Sequence, residues 1–238
     1  MDISKTKNFK SFERYPINHK KRFGEGGLRL LNFFKENKFN EPLISIITVV
    51  KNNEKFLEET IKSVLQQNYQ NFEYIIIDGG SNDNTLEIIN KYKDKIDYWI
   101  SEDDDGIYDA FNKGMQLARG NLLGMVNSDD TLEKNALSIL IDYINKNPKI
   151  DFVFGSVKKH WGILHGYKPK KIIYSWGFYP SHSTGFYIKL NSAKKVGLYN
   201  LKYKYHADYD FFFRMIVKEK LIGVGTKKNE LFGNFRRG

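Results

Sequence analysis

The stretch LISIITVV, Leu43 to Val50, is an almost unbroken apolar and β-branched run set between Pro42 and Lys51. A strand wet on one face alternates apolar with polar residues, so a run that is apolar throughout fits a strand covered on both faces, as in a parallel sheet. Downstream, Leu57, Ile61, Val64 and Leu65 recur at helical spacing, with Glu54, Glu58 and Glu59 near the positive start of that helix. Phe72 to Asp78 (FEYIIID) is a second buried strand. Asn84 and Glu87 have the spacing of a capping box that opens a helix to about Tyr92. A short strand at Tyr98-Trp99-Ile100 follows, then a helix from Ile107 to Ala118 with Tyr108, Phe111, Met115 and Ala118 on one face. Leu122 to Val126 is a fourth strand, residues 132–146 a fourth helix, and Phe152 to Val157 a fifth strand. This alternation predicts an α/β fold, a mostly parallel central sheet flanked by helices.

The alternation fades on both sides of this block. After residue 157, Trp161 to Trp176 is aromatic and basic and reads as strands or a loop over the sheet; Gly185 to Lys189 is expected as a strand and Asp208 to Lys218 as a helix. Residues 1–41 read as a basic N-terminal extension, because Lys20-Lys21-Arg22 and Gly24-Glu25-Gly26-Gly27 break any period and only Leu28 to Phe39 could form a short helix. A solvated arm and an arm docked on a membrane or a partner are both open. Gly24-x-Gly26 and Gly223-x-Gly225 lack the strand-then-helix setting of a dinucleotide fingerprint.

The 238 residues, 41% hydrophobic and 28% charged, describe an ordinary globular protein. With no cysteine, disulfides, thiolate metal sites and a cysteine nucleophile are excluded. No apolar run approaches the ~20 residues that span a bilayer, and Met1 to Lys10 has no hydrophobic stretch, so a cytoplasmic protein is expected, one that could work at the inner face of the membrane. The net charge of +10 is uneven: residues 78–130 hold 5 basic and 12 acidic residues, residues 131–238 hold 20 and 7. An acidic middle between basic ends is not the footprint of a simple DNA-binding domain. It suits a metal site beside a surface that attracts an anionic partner.

In an open parallel sheet, ligands bind beyond the carboxyl ends of the strands. There the chain places Asp78-Gly79-Gly80-Ser81, Glu102-Asp103-Asp104-Asp105-Gly106 and Asn127-Ser128-Asp129-Asp130. So many carboxylates repel unless a cation offsets them, and oxygen-only ligands favour Mg²⁺ or Mn²⁺, which complete their shells with water and phosphate oxygens. For any one of these acids taken alone, a helix-capping or solvated role stands beside the metal role.

Taken as an ordered set, ISIITVVKNN, Ser63-Val64-Leu65-Gln66-Gln67, IIIDGGSNDNT, GIYDAFNKG and NSDD resemble glycosyltransferase family 2, of the GT-A (Rossmann-like) fold, over roughly residues 42–235. The likeness is closest to bacterial polysaccharide and O-antigen transferases. It implies a nucleotide-sugar-binding half over 42–157 and a smaller, irregular acceptor-binding half over 158–238. It assigns the nucleotide to Thr48, Val49, Val50, Asn52 and Asp78, with Val50-Lys51-Asn52 in place of the family's Thr-Tyr-Asn implying backbone contacts to the base. It adds Asn112 and Lys113, the latter as a phosphate contact or a solvated helix residue, and places Phe111 where the family carries a donor-binding Arg. The metal motif reads Asn127-Ser128-Asp129: Asn127 and Ser128 face the nucleotide, Asp129 ligates Mn²⁺ or Mg²⁺, and Asp130 is a supporting ligand or orienting acid. In His206-Ala207-Asp208-Tyr209-Asp210 the resemblance makes Asp208 the catalytic base, while Asp210 and Arg214 brace the helix. The physical need is that an in-line displacement requires the acceptor hydroxyl to lose its proton opposite the leaving diphosphate. His182, His206 and Trp176 are candidates for acceptor or phosphate contacts, and Trp161, Trp176, Phe178 and Tyr179 form either a sugar platform or plain core.

The resemblance thus implies an inverting, metal-dependent glycosyltransferase that uses a nucleotide-sugar donor, a UDP-sugar first, and a saccharide or polyprenyl-diphosphate-linked acceptor. Peripheral membrane contact through the basic C-terminal half is expected, and no nucleic-acid partner. The rival from another class is an inactive GT-A-like basic module that binds membrane or nucleic acid. The family continues past the segment at which this chain ends, Phe235-Arg236-Arg237-Gly238, which implies a truncated C-terminus.

Overall fold

The computed structural model describes Tyr15 and residues 22–38, 40–173 and 183–236. In chain order the first half carries β1 (Arg22–Gly26), β2 (Ile44–Val50), α1 (Leu57–Leu65), β3 (Phe72–Asp78), α2 (Thr85–Lys91), β4 (Tyr98–Glu102), α3 (Ile107–Leu117) and β5 (Leu122–Asn127). Next come β6 (Thr131–Leu132), α4 (Ala136–Lys146), β7 (Phe152–Phe154), β8 (Ser156–Lys159), β9 (Gly162–Leu164) and α5 (Pro169–Ile173). The remainder holds β10 (Phe186–Lys189), α6 (Leu190–Val196), α7 (Ala207–Phe213), β11 (Gly223–Gly225) and β12 (Leu231–Asn234).

Among the described residues the main sheet has eight strands in the order β1-β4-β3-β2-β5-β10-β7-β11, and a second sheet runs β6-β12-β8-β9. β2 pairs in parallel with β3 over its whole length, from Ile44 opposite Phe72 to Val50 opposite Asp78, and with β5 on its other side. Every residue of β2 and β3 is buried, as their uninterrupted apolar runs require. Their alternation divides the core. Ile47, Val49, Ile75 and Ile77 pack with α3 and α7 on one face, and Ile44, Ile46, Tyr74 and Ile76 pack with α1, α2 and α4 on the other.

Several boundaries differ from the sequence reading. Residues 22–38 are no solvated arm: β1 pairs antiparallel with β4, Arg29 meets Glu73 at 2.7 Å and Lys35 meets Asp97 at 3.1 Å. Only Leu28–Leu31 is helical, as a 3₁₀ turn. The expected strand 152–157 is two strands in different sheets, divided at Gly155, where a Cβ would lie 2.0 Å from the Phe232 ring. The fourth helix starts at Ala136, because Thr131 and Leu132 pair with β12. Asn84 makes no side-chain cap; Asp83 Oδ1 accepts the Thr85 N–H instead, at 3.0 Å. The helix expected to Lys218 is α-helical to Phe213 and continues as one π turn, Arg214–Lys218.

Candidate active site

The carboxyl ends of β2 and β5 open on a cleft of about 410 Å³ lined by Val49, Val50, Asn52, Asn127, Ser128 and Asp129, with Gly106 and Ile107 at the start of α3 facing them. Asn52 ties this rim together. Its φ of 50° lies in the left-handed region, which Asn tolerates because its short amide bonds nearby backbone. Here its Oδ1 accepts the Asn82 N–H at 2.8 Å and its own N–H donates to Ser81 Oγ at 2.7 Å. Its neighbour Asn53 donates through its N–H to Thr85 Oγ1 at 3.0 Å and through Nδ2 to Ser128 Oγ at 2.9 Å.

Asp78 supports the rim from below. Its fully buried carboxylate accepts from the Ser81 N–H and hydroxyl at 3.0 and 2.5 Å and from Ser101 Oγ at 2.6 Å. It shapes the turn after β3 rather than lining the cleft. Asp104 closes over Gly79 in that turn, its Oδ2 2.2 Å from where a Cβ would stand, so a larger residue there would make the Asp104 carboxylate swing away.

Three residues expected at the nucleotide are spent elsewhere. Thr48 is buried mid-strand on the face of Ile46, where its Oγ1 accepts from Tyr74 OH at 3.0 Å. Asn112 makes a two-way bond with the Tyr199 backbone, donating at 3.0 Å and accepting at 2.8 Å. Lys113 is neither solvated nor free for phosphate: it is buried, 3.0 Å from Glu102 Oε1, and donates to the Asp103 carbonyl at 2.7 Å.

The two adjacent acids of the metal motif point in different directions. Asp129 lines the cleft half-buried, and burial raises its carboxyl above the ordinary value against its own N–H and the Arg236 charge. Asp130 is fully buried. Its Oδ2 accepts from Thr184 Oγ1 at 2.6 Å and its Oδ1 from the Arg236 N–H at 3.2 Å. Burial pushes it up to about 7, against the Thr184 hydrogen bond and with the help of the Asp129 charge. That placement corrects the ligand role in favour of the orienting one.

Asp208 stands in the first turn of α7, where the helix dipole favours a carboxylate. It is exposed, and its Oδ1 accepts from Tyr108 OH at 3.1 Å and the Tyr209 N–H at 2.9 Å. Tyr108 follows Ile107, a cleft residue, so the phenol ties Asp208 to the helix that borders the cleft. Burial, with the Asp208 charge, pushes that phenol up to about 12. Asp210 and Arg214 pair at 2.8 Å, and Arg214 caps the Leu198 carbonyl at 2.8 Å, the bracing expected of them. His206 is exposed at the α7 N-cap, with no side-chain cap bond. His182 and Trp176 lie outside the described residues, as do Phe178 and Tyr179. Asn53, Ser101, Tyr108 and Thr184 escaped the sequence reading. Asn53 and Tyr108 carried a signal, since they lie inside the motifs ISIITVVKNN and GIYDAFNKG.

For Mg²⁺ or Mn²⁺ the cleft offers Asp129 and the Oδ1 of Asn127, which is buried and accepts no hydrogen bond. Among the described residues no group of three or more His, Asp and Glu could cage an ion. This set fits a cation that takes few protein ligands and fills its shell with water and phosphate oxygens. A second cavity of about 430 Å³ shares Asp129 and is lined by Lys158, Lys159, His160 and Arg236.

Glycosyl transferase family 2 matches residues 45–221. A PGL/p-HBAD biosynthesis glycosyltransferase of Mycobacterium tuberculosis is 30% identical over 190 residues, covering 76% of this chain and 72% of the relative. An uncharacterized glycosyltransferase of Rickettsia typhi is 30% identical over 195 residues, covering 76% and 61%. Among solved structures, S. aureus TarS 1-349 in complex with UDP-GlcNAc superposes with a TM-score of 0.67 at 19% identity over 82% of this chain and 59% of that one. The mannosyltransferase PcManGT from Pyrobaculum calidifontis, in complex with GDP-Man and Mn²⁺, gives 0.64 at 15% identity over 87% and 61%. This chain therefore spans about three-fifths of those structures, and 36% of the longer TarS chain. Both likenesses are of fold, the GT-A fold. On its family match and its curated relatives, the chain belongs to glycosyl transferase family 2.

Proposed function

We propose that the chain transfers a sugar, with inversion at the anomeric carbon, from a nucleoside diphosphate donor to a hydroxyl of a saccharide or lipid-linked acceptor in surface polysaccharide synthesis. A UDP-sugar is the first donor to try, and the neighbours with bound UDP-GlcNAc and GDP-Man define the range. The observation that carries the reading is the pairing of an acid-bearing cleft with a second carboxylate tied to the helix that borders it: Asp129 inside, Asp208 held by Tyr108 of α3.

In this reading the nucleotide lies against Val49, Val50 and Asn52, and the reacting hydroxyl of the acceptor meets Asp208 at the start of α7. Oδ1 of Asp208 is already occupied by Tyr108 and the Tyr209 N–H, which leaves Oδ2 to take the acceptor proton. The acceptor oxygen then bonds to the anomeric carbon as the bond to the diphosphate oxygen breaks, and the leaving group departs on the opposite face. A divalent cation held by Asp129 and Asn127 neutralises the diphosphate when bound. Asp130, Thr184 and the Arg236 N–H hold Asp129 in register. Asp78 serves the nucleotide by fixing the turn next to it.

Transfer assays with UDP- and GDP-sugars on saccharide acceptors test this. Asp208→Asn should cut kcat by about 10²–10⁴-fold with nucleotide affinity unchanged; wild-type turnover in that variant contradicts the assignment. Lys168 and Lys170 are both exposed at the start of α5, and Lys171 follows them in sequence, a basic stretch suited to an anionic leaflet. Neutralising the three should abolish liposome binding, and unchanged binding would refute that contact. Among the described residues no helix is long and apolar enough to cross a membrane.

A further inference from the structure

The hairpin of β8 and β9 turns at His160-Trp161, with Lys159 opposite Gly162. Trp161 is 60% exposed, so the core role open to it in sequence does not apply. It is not an isolated surface aromatic. The Lys159 ammonium lies 6.0 Å from its ring centroid and 4.2 Å from that of Phe235, and the His160 ring stands edge-on at 6.5 Å. Lys159 is half-buried and, among the described residues, makes no ion pair within 4.0 Å; burial draws its ammonium below the ordinary value, against the more distant Asp130 charge. Removing an ammonium from water without a counter-ion is costly, which favours an anionic ligand at that point.

The cavity beneath the hairpin puts Lys158, Lys159, His160 and Arg236 against a single acid, Asp129, which it shares with the donor cleft. Arg236 is partly engaged, bonded to Glu59 at 2.5 Å and stacked over Phe56 at 4.5 Å. Lys158 and His160 are exposed, so Lys159 is the half-buried cation of the set that lacks an ion pair among the described residues. An aromatic face beside a cation is suited to a sugar ring that carries a negative charge: the ring C–H face lies on the indole and the anion meets the ammonium.

We propose that this cavity is the acceptor subsite and that it takes an anionic saccharide, a sugar bearing a phosphate or a carboxylate, with Trp161 against the ring and Lys159 against the anion. The proposal rests on the transferase reading of the neighbouring cleft, since the shared Asp129 is what places the cavity beside the donor cleft. A neutral acceptor would leave Lys159 without a counter-ion.

NMR titration of the full chain with glucose 6-phosphate, methyl glucuronide, neutral methyl glucoside and inorganic phosphate tests it, with UDP titrated separately. At least one anionic sugar should bind about tenfold or more tightly than the neutral one. The phosphate and carboxylate arms tell which anion is preferred. Lys159→Gln should erase the preference, Lys159→Arg should restore it, and Trp161→Ala should weaken charged and neutral sugars alike, all three with UDP affinity unchanged. Equal binding of charged and neutral sugars by the wild type would overturn the proposal. So would inorganic phosphate matching glucose 6-phosphate, which would mark a bare anion site. A Lys159→Gln variant that loses UDP as much as sugar would overturn it too, assigning the cavity to the donor diphosphate. Failure of the wild type to bind UDP contradicts the donor reading instead, and is separate from the sugar preference.

Discussion

Asp129 and Asp130 are joined by one peptide bond, yet one carboxylate faces the cleft and the other the interior. The motif marked both as site residues, but which of them meets the ligand depends on Thr184, 54 positions away, and on the Arg236 N–H. Neither partner has a local signature. The same holds for Lys113, whose counter-ion Glu102 precedes it by eleven positions across a loop and a strand end. The two acids should therefore separate on mutation. Asp130→Ala removes the carboxylate that a buried hydroxyl and a backbone N–H bond to and should cost roughly 1–3 kcal/mol in urea unfolding. Asp129→Ala should leave stability within about 0.5 kcal/mol, as expected of a group without such partners. On the helix that borders the cleft, Tyr108→Phe removes one hydrogen bond to Asp208, so kcat should fall roughly fivefold to tenfold with nucleotide affinity unchanged. An unchanged kcat would show that Asp208 needs no tether.

At the scale of elements, β2, β3 and β5 were legible from their apolar runs and α1 and α3 from a 3.6-residue period, signals that each element carries in its own residues. The N-terminal segment was not. Gly24 and Gly26 look like breakers in sequence, but in β1 they let the strand lie over the Trp99 indole, whose atoms stand 3.1 and 2.4 Å from where their Cβ atoms would be. The contacts that dock the following turn join Arg29 to Glu73 and Lys35 to Asp97, pairings no local pattern encodes. Both carboxylates are buried, so the partner cations matter most as counter-charges. Arg29→Ala strands Glu73, which keeps only the Ser45 hydroxyl and the Arg119 N–H as donors. It should destabilise by about 3–5 kcal/mol in denaturant unfolding. A loss below about 0.5 kcal/mol would mean that the segment is not docked in solution.

Across the whole molecule, Glu102 joins three parts of the chain. It accepts from Tyr15, sits 3.2 Å from Arg22 of β1 and 3.0 Å from Lys113 of α3. Burial alone would raise its carboxyl, but the hydrogen bonds from Tyr15 and Lys113 and the two positive charges hold it below its ordinary value of 4.5. A carboxyl depressed in the folded state contributes stability that is full above 4.5 and is lost as pH falls through the folded value. Unfolding of the wild type should thus steepen on the acid side. Glu102→Gln should be less stable at neutral pH and converge on the wild type in acid; parallel curves would exclude Glu102 as a source of the acid limb. The acidic middle and basic flanks of the sequence also find their places at this scale: Asp78, Glu102 to Asp105, Asp129 and Asp130 stand at or just past the carboxyl ends of β3, β4 and β5, and the C-terminal basic residues Lys158, Lys159 and Arg236 line a cavity with Asp129. Charge alone gave the sign of each region but not their adjacency, which the small second sheet creates.

The central claim is that the cleft at Asp129 binds a nucleoside diphosphate together with a divalent cation. Calorimetric titration of UDP and GDP, each with Mn²⁺ and with EDTA, against the wild type and Asp129→Ala tests it most directly. The account predicts binding of one nucleotide by the wild type with Mn²⁺, and its loss both in EDTA and in the variant. Equal binding by Asp129→Ala, or no binding of either nucleotide by the folded wild type, would contradict it.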